Sequence, residues 1–251
     1  MSKNFELLQK MGKEDLLSST AAGNGHAALN PAGNAAARAT QPVKPGLEEV
    51  SSFVQQVFLG AGGNVPRTVV FTSTEPGTGC TWVAAHTAEV LAGRIAGSVC
   101  VVDANLREPG LHQQFGIENG PGLAEFLQQP DPIRTAIRAT SLPNLFVITA
   151  GKPGEESQPL LASDRMRMRI HELRSEFDFV LIDAPAMSLG SDPIGLGSLS
   201  DGVVLVLKAN ASRKQTARQA VQSLQEGNAK VLGAVLNQRQ FPIPESIYKR
   251  L

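Results

Sequence analysis

Six short runs of this chain are apolar almost without interruption: RTVVFTS (67–73), SVCVVDA (98–104), LFVITAG (145–151), FDFVLIDAP (177–185), DGVVLVLKA (201–209) and AKVLGAVLN (229–237). A strand with one wet face alternates polar and apolar residues, whereas a strand apolar on both faces must be covered on both. Between most of these runs lie helical patterns, notably TWVAAHTAEVLAGRIAG, ASDRMRMRIHELRSEF and SRKQTARQAVQSLQEG. Buried strands alternating with helices predict a three-layer α/β domain around a doubly wound, mostly parallel sheet. LEEVSSFVQQVFLG, just before the first strand, predicts one more helix ending at Gly60.

The domain is expected over residues 46–238. Ahead of it, residues 1–17 carry Phe5, Leu7, Leu8, Met11 and Leu16 near one side of a short amphipathic helix. Residues 18–45 are Ala, Gly, Asn and Pro with few large apolar groups, the composition of a flexible linker. Residues 239–251 form a C-terminal tail. The 251 residues hold 23 basic and 23 acidic side chains, so no basic field exists to draw in nucleic acid. Two cysteines without metal-ligand spacing, no long apolar run and no signal-peptide pattern point to a cytoplasmic protein.

The chemistry gathers after the first strand, in EPGTGCT (75–81). Gly77 and Gly79 let the backbone turn tightly around an anion, with Thr78 between them and a helix N-terminus following. Thr81 is placed to offer its hydroxyl to Mg²⁺. A phosphate-binding loop reads G-x-x-x-x-G-K-[ST], and Cys80 stands where the lysine belongs. Two further strand runs end in Asp103 and Asp183. The first could orient an attacking water or hydroxyl, and the second sits where a Walker B carboxylate holds Mg²⁺ through water. Ligands of such sheets bind beyond the strands' carboxyl ends, so loop and carboxylates should converge.

With FTSTEPGTGCT, VCVVDANLREPGLHQQFGIENGPGLAEFL, FDFVLIDAPAMSLGSDPIGLGSLSDGVVLVLKA and VLGAVLNQ in view, residues 47–237 resemble the bacterial tyrosine kinases of capsule and exopolysaccharide synthesis. Those kinases share their P-loop fold with the septum-positioning and chromosome-partitioning ATPases of the MinD/ParA kind. The resemblance implies an ATP or ADP site with Mg²⁺ held by Thr81 and Asp183. It also implies a hydroxyl-activating role for Asp103, and Asn237 near the adenine. Tyr248 becomes a candidate phosphoacceptor. The implied partners are a membrane polysaccharide co-polymerase or a glycosyltransferase of the same pathway, with homo-oligomers and attachment at the inner membrane through a partner.

Three departures fall on three separate functions. Cys80 removes the cation that grips the transferring phosphoryl group, and each lost charge-assisted bond is worth roughly 1.5–3 kcal/mol. Tyr248 is the sole tyrosine, where relatives carry a tyrosine cluster. Glu48 is followed by Ser51 and Val54 where ring-forming relatives place two arginines. Asn105 replaces a second Asp, a milder change. The expectation is a catalytically degenerate kinase-like protein that regulates or scaffolds polysaccharide assembly. The alternative is an active autokinase or ATPase whose missing charge comes from Arg107. A helix N-terminus at Cys80 would be expected to acidify its thiol.

Overall fold

The computed structural model describes residues 47–60, 65–129, 131–154 and 157–238. The expected N-terminal segments and the tail with Tyr248 lie outside them.

The sheet comprises β1 (Thr68–Ser73), β2 (Val99–Asp103), β3 (Arg138–Ala139), β4 (Leu145–Ile148), β5 (Phe179–Asp183), β6 (Gly202–Lys208) and β7 (Val231–Asn237). Their order is β3-β4-β2-β5-β1-β6-β7. Every pairing is parallel except β3 with β4. All six apolar runs became strands. The two-residue β3 carries no apolar run and left no signal. The helices are α1 (Leu47–Val57), α2 (Cys80–Ala92), α3 (Leu111–Phe115), α4 (Leu123–Gln128), α5 (Asp164–Glu176), α6 (Asp192–Ser198) and α7 (Lys214–Glu226).

Burial follows the period of two. Every residue of β1 and β2 is buried. Val70, Val102, Ile148 and Ile182 pack on one face against Leu123, Leu127, Ile170 and Leu173 of α4 and α5. Val69, Phe71, Val101 and Leu181 pack on the other against α1 and α2. Edge-to-face pairs Phe53–Phe58, Phe53–Phe71 and Phe58–Phe179, with centroids 5.9–6.1 Å apart, fasten α1 to the second face. Val54 is fully buried in that layer. The helices end earlier than expected, α1 at Val57 and α2 at Ala92. Beyond α2, the Asn144 amide donates to the carbonyls of Ala92, Ile95 and Gly97, which no longer continue a helix.

At the sheet's amino edge, strands present N–H groups with no preceding partner, and two aspartates satisfy them. Asp201 accepts from the Arg67 and Thr68 N–H groups at 2.9 and 2.8 Å, and pairs with Arg174 at 3.0 Å. Asp178 accepts from the Ser98 N–H at 2.8 Å. Burial alone would raise the Asp201 pKa, but the Thr68 and Arg67 amides and the Arg174 charge outweigh it and hold it below the usual carboxylate value. A depressed native pKa means stability present at neutral pH and lost as pH falls through that value. Asp201→Ala should therefore cost roughly 1–3 kcal/mol at pH 7 by urea unfolding, and the difference from wild type should shrink below pH 4.

Candidate functional site

β1 delivers the chain to the carboxyl edge, and the loop after it closes with Gly77 and Gly79 at φ 76° and 79°. Left-handed backbone of this kind favours glycine. α2 begins at Cys80, so its free N–H groups point into the same space. The cleft that results is about 170 Å³. One wall is residues 76–81; the facing wall is Asn105, Glu108, Ala184 and Leu189. No lysine or arginine lines it among the described residues.

The expected carboxylates converge on each other at the same edge of the sheet, although neither lines the cleft. β2 and β5 are neighbours, and Asp103 and Asp183 stand directly opposite each other in the register. Both are fully buried. Their partners differ. Asp103 accepts N–H bonds from Asn105 at 3.2 Å and from Gly110 and Leu111 at 3.0 Å each. It thereby ties down the 105–111 loop, and Gly110 packs against Thr81 closely enough that a methyl there would stand 3.1 Å from the Thr81 methyl. Burial raises the Asp103 pKa to about 6, opposed by those three amides. Asp183 has both oxygens buried with no hydrogen bond of good geometry. Burial, and then the Asp103 charge, push its pKa up to about 8. The Thr81 hydroxyl and Cys80 thiol lie near enough to pull it down slightly, without reaching hydrogen-bonding geometry.

Cys80 is partly buried and the second cysteine, Cys100, fully so. The expected acidification of Cys80 does not occur. Burial of the sulfur and the adjacent Asp183 charge push the thiol well above its ordinary range. The position that would carry a lysine cation thus carries a neutral thiol.

Asn237, expected near an adenine, ends β7 and donates its side-chain N–H to the Thr78 carbonyl at 2.8 Å. Gln238 beside it donates to the Gly77 carbonyl at 3.1 Å. Sequence reasoning missed Gln238, because its loop contact is 161 residues distant and has no periodicity behind it. Asn105 accepts the Glu108 N–H at 3.2 Å and shapes the loop. Arg107 does not line the cleft; it faces Asp192 at 3.7 Å. No three His, Cys, Asp or Glu side chains among the described residues cluster as a metal cage. A magnesium ion does not need one, since it keeps several waters and takes one or two protein oxygens.

A glycine-rich loop between β1 and α2, with carboxylates at two neighbouring strand ends, defines a P-loop domain of the MinD/ParA type. No protein-family model matches the chain. It is 29% identical over 202 residues to the tyrosine-protein kinase YwqD of Bacillus subtilis, covering 80% of this chain and 85% of that protein. It is 31% identical over 201 residues to a putative tyrosine-protein kinase, EpsB, of Ralstonia solanacearum, but spans only 26% of it. Among solved structures, the chimerical protein CapA2B2 superposes with a TM-score of 0.73 at 25% identity, over 80% of this chain and 88% of that one. The cell-division ATPase MinD of Pyrococcus furiosus gives 0.60 at 26%, over 73% and 78%. The chain is a homologue of the bacterial tyrosine-protein kinases.

Asp183 has no hydrogen-bond partner of good geometry among the described residues, so burying it burdens the fold. Asp183→Asn should raise stability in metal-free buffer by about 1–2 kcal/mol in urea unfolding, while removing any stabilisation by Mg²⁺ with ADP. A variant less stable than wild type in EDTA would mean that Asp183 has a structural partner after all.

Proposed function

We propose that the chain is a catalytically degenerate tyrosine-kinase-like protein that keeps a weak Mg²⁺–nucleotide site and has lost phosphoryl transfer. It serves capsule or exopolysaccharide assembly as a regulator or scaffold. The observation that carries this reading is a cleft that no lysine or arginine lines among the described residues, where a neutral thiol replaces the loop ammonium.

The residues fit the group they would hold. The orphaned oxygens of Asp183, beside the Thr81 hydroxyl, suit Mg²⁺, and the amides of residues 78–81 suit phosphate. A bound Mg²⁺ would offset the negative charge on phosphate and carboxylate. Asp103 would act through its loop, because its carboxylate already accepts three backbone amides; Asp183 lines the cleft no more than Asp103 does, and would reach a metal only beside Cys80 and Thr81, which do line it. Transfer, by contrast, rests on charge placed at the moving phosphoryl group. Arg107 could supply it only by leaving Asp192; it is 37% exposed, and that freedom is the one feature favouring an active enzyme.

Among the described residues no helix is long and apolar enough to cross a membrane. The proposed work is contact with a membrane co-polymerase, a glycosyltransferase or an active kinase, at the cytoplasmic side of the inner membrane. Tyr248 would be at most a single phosphoacceptor.

Calorimetric titration with Mg·ATP tests the reading. Cys80→Lys should bind about ten- to hundredfold more tightly than wild type, and only the variant should label itself or a tyrosine peptide with phosphate. Phosphotyrosine formed by the wild-type chain at a rate that Cys80→Lys does not increase would overturn it.

A further inference from the structure

The loop's carbonyls are held from outside by two side chains of one strand end. Asn237 takes the Thr78 carbonyl at 2.8 Å and Gln238 the Gly77 carbonyl at 3.1 Å. A trans peptide is planar, so its C=O and the next residue's N–H point in opposite directions. Holding the Thr78 carbonyl toward β7 therefore turns the Gly79 N–H away from β7, on the cleft side. Holding the Gly77 carbonyl does the same for the Thr78 N–H. Both residues line the cleft.

Two further details show that the contact is built rather than incidental. A side chain at Gly79 would collide with the Asn237 amide, so the glycine opens the space the clamp occupies. Gln238 itself is held at φ 56°, a left-handed conformation uncommon outside glycine. The β7 end is in turn fixed to β6, because the Asn237 carbonyl accepts the Ala209 N–H at 2.8 Å.

We infer that Asn237 and Gln238 are positioning residues that aim the Gly79 and Thr78 amides at a bound phosphate, and that in the absence of a loop lysine the site's anion affinity depends on this clamp. The ligand rests on the nucleotide reading above; the clamp does not.

The full chain tests it with three variants. Asn237→Asp keeps the shape but puts an acceptor against the Thr78 carbonyl. Gln238→Ala removes the second donor, and Gln238→Lys restores one. Without nucleotide, hydrogen exchange of amides 76–81 should rise about tenfold in Asn237→Asp and several-fold in Gln238→Ala. It should stay near wild type in Gln238→Lys, with β1, β2 and β5 unchanged throughout. Mg·ADP affinity should fall in the same order and by similar factors. Loop exchange equal to wild type in both donor-removing variants, or an increase spread evenly over the sheet, overturns the clamp. A wild-type chain that binds no Mg·ADP sinks the nucleotide reading alone, and the exchange data still decide the clamp.

Discussion

Two carboxylates in register at the ends of neighbouring strands, both cut off from water, set the terms for everything around them. Each is costly because burial disfavours the charged form, and each raises the cost of the other. The burial is unavoidable: β2 and β5 are covered on both faces, so their last residues inherit the dryness of the core. Three backbone N–H bonds compensate Asp103, whereas Asp183 has none of good geometry among the described residues. A lysine at position 80 would set one cation against these two acids. Cys80 sets none, and burial, with Asp183 beside it, keeps the thiol neutral.

What remains to attract an anion is backbone. The start of a helix carries about half a positive charge, worth roughly 0.3–1 kcal/mol to an exposed anion and up to about 2 when partly buried. That is less than one charge-assisted bond at its strongest, roughly 3 kcal/mol, and it must work beside Asp183. Phosphate affinity here thus depends on two things: neutralising Asp183 and aiming the few amides well. The second is a matter of geometry, and geometry is what the β7 end supplies.

The fold was legible because a two-sided parallel sheet writes itself as unbroken apolar runs. RTVVFTS, SVCVVDA and FDFVLIDAP could hardly be anything else, and the aspartates ending two of them followed from the edge where such strands deliver the chain. β3 was not legible, since two residues beginning with an arginine carry no pattern. Nor was the state of Cys80. Position in the chain suggested a thiol acidified by a helix end, while the causes that decide it, burial and a carboxylate from β5, come from the fold. Asn237 was singled out by resemblance as a base-proximal residue, yet its hydrogen bond to the loop is a fact of side-chain direction that spacing does not encode. Gln238 had no signal at all.

These contacts also explain how a phosphate cradle can keep its shape without its central charge. Asp103 anchors the loop that presses Gly110 on Thr81, Gly79 leaves room for the clamp, and Asn237 holds the loop to β7. Each has a structural task that loss of transfer would leave intact, so their presence says little about chemistry. Asp183 is different. Among the described residues it has no hydrogen bond of good geometry, and burial and then the Asp103 charge make its ionised form costly. In the proposed site, a cation bound beside Asp183 and Thr81 would offset that cost. On the reading proposed above, the acid without a partner is what a metal-bound ligand would neutralise, and the thiol beside it is why that ligand would be held without being cleaved.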